Sequence, residues 1–133
     1  TYGDGVSDVD MKALLEHHQK HQKICTMTAI QATSRFGVIE MQNDGLINSF
    51  EEKPADSGTW INGGFFIIEP SIEKYLKEDA DDMMWERQPM NDLAKDKQIS
   101  AYKHNGFWKC MDTLRDKEEL ESMWEQGAPW KKW

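Results

Sequence analysis

The sequence predicts an α/β fold with a mixed sheet and one inserted β-hairpin. Three observations predict it. Helix-start signals alternate with short apolar, β-branched runs, the pattern of helices laid on buried strands. Asn43-Asp44-Gly45 separates two strand-like runs, and Asp-Gly in that position is a strong hairpin signal. No repeat, low-complexity tract or internal boundary interrupts the 133 residues, a length suited to one domain with a modest core.

In chain order, Thr1 to Gly3 reads as a strand end and Asp4-Gly5 as a tight turn. Ser7, with Asp10 three residues on, predicts the start of a helix reaching about Gln22. Ile24 to Ile30 is apolar and β-branched enough for a buried strand. Phe36 to Gln42 and Leu46 to Glu52 form the hairpin, followed by Lys53-Pro54 and a polar loop to Thr59. Asn62 to Glu69 is a strand that opens on a double glycine, and Pro70 suits the first turn of a helix to about Lys77. The acidic run Glu78 to Asp82 reads as a solvated turn. A short helix over Pro89 to Lys97 leads to a strand over Ile99 to Lys103, and His104-Asn105-Gly106 turns into another over Phe107 to Met111. Thr113 and Asp116 cap a last helix to about Gln126, where Gly127 and Pro129 stop it.

Composition excludes several functions. A net charge of -8 argues against wrapping a nucleic-acid backbone, which needs Lys and Arg to neutralise phosphates. A small phosphate ligand stays compatible, since one metal ion or lysine sets the local field. No run of 18 apolar residues exists and nothing resembles a signal peptide, so a soluble cytoplasmic protein without membrane contact is expected. Cys25 and Cys110 read as reduced thiols. Trp124, Trp130 and Trp133, three of the six tryptophans, crowd the last ten residues and predict a packed C-terminus. A start at Thr1 rather than Met suggests a fragment or processed chain.

Four segments carry candidate chemistry. Asp4, between Gly3 and Gly5 at a strand end, is open to a metal-bound phosphate or is an ordinary turn residue. In Phe50-Glu51-Glu52-Lys53-Pro54, Lys53 suits a sugar phosphate and Glu52 suits sugar hydroxyls; a surface charge pair is the alternative. Gly63-Gly64 weakens a strand unless a ligand or another backbone comes close, or it marks a bulge. Asp112 ends an apolar strand before a helix; it either shares a Mg²⁺ with Asp4 or helps Thr113 as a cap. His17, His18 and His21 are read as a solvated helix end rather than a metal site.

Taken in order, TYGDGVSD, RFGVIE, FEEKP, INGGFF, WERQP, GFWKCMDTLRDK and APWKKW resemble the C-terminal portion of the sugar nucleotidyltransferase family, in its glucose-1-phosphate cytidylyltransferase branch. The resemblance spans nearly the whole chain. It implies an incomplete Rossmann-like nucleotidyltransferase domain and the transfer of a cytidylyl group from CTP to α-D-glucose 1-phosphate, giving CDP-glucose and pyrophosphate. It also implies Mg²⁺ held by Asp4 and Asp112, with Lys53 as the third catalytic residue, on the sugar phosphate. By the same resemblance Gly3 borders the nucleotide, Glu52 holds sugar hydroxyls, Gly37, Asn62 and Gly63 line the sugar pocket, and Trp85 and Glu86 lie near it. The family's glycine-rich, arginine-bearing loop, which cradles the triphosphate, has no counterpart in these 133 residues. An isolated chain without turnover is therefore expected, associating with another copy or with the missing portion through its truncation surface. A thymidylyl- or uridylyl-transferase and a non-catalytic sugar-phosphate module are the alternatives.

Overall fold

The computed structural model describes residues 2–31, 38–51, 59–76 and 83–132. Its elements run β1 (Gly5–Ser7), α1 (Met11–His21), β2 (Cys25–Gln31), β3 (Val38–Met41), β4 (Ile47–Glu51) and β5 (Trp60–Ile68). A 3₁₀ turn (Pro70–Tyr75), α2 (Gln88–Lys95), β6 (Ile99–His104), β7 (Trp108–Cys110) and α3 (Leu114–Glu125) follow. The fold is mixed α/β, as the alternation of helix and strand signals predicts.

The central layer is the sheet β5-β2-β6, in which β2 pairs antiparallel with β5 and parallel with β6. That arrangement makes the sheet mixed and covers both edges of β2. Cys25, Thr26, Thr28, Ala29 and Ile30 are buried accordingly. Helix α1 packs over all three strands and sends Leu14 and His18, four residues apart, into the core. Leu93 of α2 is fully buried, as are Leu14 and Cys25. The β3–β4 hairpin forms its own two-stranded sheet, turning through Gly45 at φ +88°, where a side chain is disfavoured.

Several sequence expectations shift. Helix α1 starts three residues later than predicted, because Asp10 rather than Ser7 is its N-cap. The Asp10 carboxylate accepts from the N–H groups of Lys12 (2.9 Å) and Ala13 (3.0 Å), while Ser7 is held in β1 with its hydroxyl donating to the Phe107 carbonyl. The helix expected after Pro70 is a 3₁₀ segment that stops at Tyr75, since Leu76 is already extended. Helix α2 begins at Gln88 and ends at Lys95, with Lys97 in the left-handed region beyond it. Residues 32–37, 52–58 and 77–82 are outside the described residues, so the predicted acidic turn, Gly37, Glu52 and Lys53 are not placed.

The last helix matches its prediction closely. Thr113 accepts from the Asp116 N–H while the Asp116 carboxylate accepts from the Thr113 N–H, a reciprocal capping box. After Gly127 (φ +114°) the chain folds back, burying Ala128 and stacking Trp130 on Phe107 at 5.3 Å between ring centres.

Candidate functional site

Strands β1 and β7 pair antiparallel, with Gly5 opposite Cys110 and Ser7 opposite Trp108. The expectation that Asp4 ends a strand is corrected. Tyr2 bonds through its N–H to the Gly64 carbonyl, the chain bends at Gly3-Asp4, and pairing with β7 starts only at Gly5. Asp4 therefore precedes its strand, whereas Asp112 follows the carboxyl end of β7. Because the ribbon is antiparallel, those two positions fall at the same end of it. The Met111 N–H donates to the Asp4 carbonyl at 2.9 Å, which sets Asp112 one residue beyond that rung. Both aspartates are exposed, and the Cys110 thiol donates to the Asp112 carboxylate at 2.9 Å. Among the described residues no cluster of three or more His, Cys, Asp or Glu side chains is placed to hold a metal ion. Any metal held here would rest on these two carboxylates together with ligands from elsewhere.

The double glycine joins this ribbon to the central sheet. Ala29 stands opposite Asn62 and Met27 opposite Phe66, so Gly63, Gly64 and Phe65 face the single residue Thr28. The bulge and the close approach are thus both present. A Cβ on Gly63 would lie 3.0 Å from the Thr28 carbonyl oxygen, and one on Gly64 would lie 2.8 Å from the Tyr2 ring. Gly64 also has φ +78°, which suits glycine alone at low strain. Both bulge carbonyls are used: Gly64 accepts from Tyr2, and Gly63 accepts from the Trp108 indole at 2.8 Å.

Beside the bulge, residues from three parts of the chain share one network. Asn62 is held at both ends, its carbonyl oxygen accepting from the Gly64 N–H and its amide nitrogen donating to the Tyr2 hydroxyl, each at 2.8 Å. The Tyr2 hydroxyl has one proton, and it goes to the Glu86 carboxylate. Burial, then the Glu86 contact, pushes the Tyr2 phenol up to about 12, while the Tyr2 bond holds Glu86 below the usual carboxylate range. A chain of edge-to-face rings, Tyr2 on Phe66 (5.7 Å) and Phe66 on Trp85 (5.8 Å), braces the same corner.

Of the residues singled out in the sequence, Asn62, Gly63, Trp85 and Glu86 come together around the bulge, and Asp4 and Asp112 fall at the same end of the ribbon. Tyr2, Phe66 and Trp108 escaped sequence reasoning. Tyr2 stands next to the Gly3-Asp4 turn, but its partners Asn62 and Gly64 lie about 60 residues on, and nothing local marks it.

The histidine reading is corrected in part. His18 is buried rather than solvated, its ring bridging the Thr26 hydroxyl (2.8 Å) and the Glu69 carboxylate (2.9 Å), with Thr26 in turn bonded to Ser100. His17 and His21 stack at 3.9 Å between ring centres; burial, then His21, keeps His17 below its ordinary range. His104 lies beside Ser7 and Asp8, yet this is no nucleophilic triad. One imidazole nitrogen, Nε2, faces Ser7 (3.2 Å), Asp8 (3.1 Å) and the Phe107 carbonyl (3.1 Å), and the Ser7 proton goes to that carbonyl. The group pins the far end of the ribbon to β6. Cys25 is buried and Cys110 half-buried, and burial pushes the Cys25 thiol up to about 11.

A family model described as nucleotidyl transferase matches residues 1–126 of this chain. The chain is 48% identical over 134 residues to a glucose-1-phosphate cytidylyltransferase of Salmonella typhi, an alignment covering 100% of this chain and 51% of that protein. The protein of the same name from Salmonella typhimurium (strain LT2) is 47% identical over 134 residues, with the same coverage of 100% and 51%. The chain thus spans about half the length of these curated relatives. The crystal structure of HddC from Yersinia pseudotuberculosis shares the fold at a TM-score of 0.60 and 20% identity, over 92% of this chain and 52% of that one. With a family match that takes in every described element from the Asp4 turn through α3, the chain belongs to the nucleotidyl transferase family.

Proposed function

We propose that this chain is about half of an enzyme that transfers a cytidylyl group from CTP to glucose 1-phosphate, giving CDP-glucose and pyrophosphate. The observation that carries the reading is the alignment of the whole chain with proteins named glucose-1-phosphate cytidylyltransferase. The ribbon that sets Asp4 and Asp112 at one end, a short way from the Asn62–Tyr2–Glu86 corner, supports it.

The chemistry suits these residues. A phosphate oxygen of the sugar phosphate attacks the α-phosphorus of CTP, forming the new P–O bond as the bond to pyrophosphate breaks. A phosphate monoester has a second pKa of about 6, so the attacking group is already deprotonated at neutral pH and needs no general base. The barrier lies in bringing two anions together, which positioning and electrostatics overcome. Asp4 and Asp112 present the hard carboxylate oxygens that Mg²⁺ prefers, from neighbouring positions on one ribbon. That ion, when bound, would neutralise phosphate charge and orient the reacting groups. Asn62 offers an N–H and Glu86 a carboxylate oxygen to the hydroxyls of the acceptor sugar. Lys53 on the sugar phosphate, Glu52 on its hydroxyls, and Gly3 and Gly37 along the substrates complete the proposal.

A cytoplasmic setting and association with another copy, or with the rest of the full-length protein, belong to the same proposal. No helix among the described residues is long and apolar enough to cross a membrane. Exposed Ile39, Met41, Leu46, Ile47 and Phe50 on the hairpin are an apolar surface that such association would cover.

Pyrophosphate release from CTP, glucose 1-phosphate and Mg²⁺ tests the reading. The full-length protein is expected to release it and the isolated 133-residue chain is not; the reverse in either arm sinks the proposal. In the full-length protein, Asp112→Asn is expected to reduce the rate at least about a hundredfold while preserving the fold, as removal of a metal-holding group does.

A further inference from the structure

We propose that Tyr2 is a positioning residue for the acceptor sugar, its hydroxyl locking Asn62 and Glu86 into one hydrogen-bonded unit across two separate elements. The inference deepens the proposed function and rests on its assignment of this corner to the sugar side. Asn62 lies on β5 and Glu86 in the turn before α2, and no strand pairing joins those two segments among the described residues. Tyr2 joins them. Its hydroxyl accepts from the Asn62 amide at 2.8 Å and donates to the Glu86 carboxylate.

The direction of each bond fixes what the neighbours present. The Asn62 carbonyl oxygen is occupied by the Gly64 N–H, so the amide cannot flip without losing that bond, and Nδ2 keeps a second hydrogen. The Glu86 carboxylate accepts from the phenol and from its own backbone N–H, and being exposed it keeps lone pairs for a further donor. One donor and one acceptor in fixed relation match the paired donor and acceptor capacity of adjacent sugar hydroxyls. Tyr2 itself is fixed three ways. Its N–H bonds Gly64, its ring lies over the Cβ-free face of Gly64, and Phe66 abuts the ring edge at 5.7 Å. The hydroxyl is therefore a rigid point rather than a mobile side-chain end.

Tyr2 lies two residues before Asp4, so the same short segment reaches both the sugar corner and the ribbon end. That continuity suggests how acceptor placement is kept in step with the metal-holding end.

Tyr2→Phe in the full-length protein tests the role, because it keeps the ring packing and removes only the hydroxyl. The expected result is a rise of about tenfold in KM for glucose 1-phosphate, the scale of one or two lost hydrogen bonds. KM for CTP and kcat should stay within about twofold. Combining Tyr2→Phe with Glu86→Ala should raise the acceptor KM little beyond Glu86→Ala alone, since both remove the same link. Unchanged acceptor KM in Tyr2→Phe, equal changes for both substrates, or additive effects in the double variant would overturn the role of Tyr2. Wild-type protein without turnover of any sugar 1-phosphate would overturn the functional reading and this inference together, which separates the two failures.

Discussion

Strand β2 and the β3–β4 hairpin are written in similar letters and meet opposite fates. Both are short, with aliphatic residues interleaved with polar ones. Strand β2 is flanked by β5 and β6 and roofed by α1, and Cys25 and Thr26 are fully buried. Among the described residues the hairpin pairs only with itself, and Phe50 and Leu46 are each 63% exposed. Burial in this chain is thus assigned by what a strand is packed against, with residue type permitting it but not deciding it.

The largest test of that difference removes apolar bulk from each region. Leu14, the α1 residue buried against the sheet, is expected to cost roughly 2–5 kcal/mol on Leu14→Ala. Phe50→Ala on the hairpin should stay within about 0.5 kcal/mol in the isolated chain, because the ring loses little burial. Urea unfolding followed by circular dichroism measures both. Comparable losses would show that the hairpin is packed in solution and erase the contrast.

A smaller effect separates two glycines with positive φ. Gly45, at the hairpin tip (φ +88°), has nothing within 4 Å of where a Cβ would stand, so Gly45→Ala should cost about 1 kcal/mol for the left-handed backbone alone. Gly64 adds to the same backbone term a Cβ 2.8 Å from the Tyr2 ring, and Gly64→Ala should cost roughly 2–4 kcal/mol. It should also displace Tyr2, so the loss would be accompanied by a change in near-ultraviolet circular dichroism. Equal costs at the two sites would mean that the Tyr2 segment yields freely.

These pairs also show where sequence reading stops. The hairpin, the strand β2 and the Thr113–Asp116 cap are local patterns, legible because turn chemistry, β-branching and a four-residue capping box act within a few residues. The start of α1 falls at Asp10 rather than at the expected Ser7, although both side chains can cap a helix. The choice between them is made at long range, where the Phe107 carbonyl takes the Ser7 proton. His18 was misread for the same reason: its partners Thr26 and Glu69 are 8 and 51 residues away. At the site, the motif residues could be named, yet Tyr2 could not. Its significance comes from Asn62, 60 residues on, and from Gly64, whose missing side chain makes room for the ring.

The smallest expected effect concerns the ribbon's anchorage to α3 and separates it from the pH-insensitive apolar core. Thr113, through its hydroxyl and backbone N–H, and then Lys109 at 3.1 Å hold the Asp116 carboxyl down to about 2, below its ordinary 3.8. Lys109 also reaches Glu119 at 2.7 Å, and its own ammonium is pushed above the ordinary lysine range, chiefly by Glu119. Between pH 2 and about 4 the unfolded chain binds a proton at Asp116 that the folded chain refuses, so stability rises with pH across that window. The contribution is complete above about pH 4 and disappears as pH falls through the folded value near 2. Asp116→Asn is therefore expected to flatten this part of the stability profile while leaving its shape above pH 5 unchanged. Urea midpoints measured at closely spaced acid pH values would show it. A slope that survives the substitution would assign the acid sensitivity to other carboxylates and reduce the Lys109–Asp116 pair to a cap that stabilises equally at every pH.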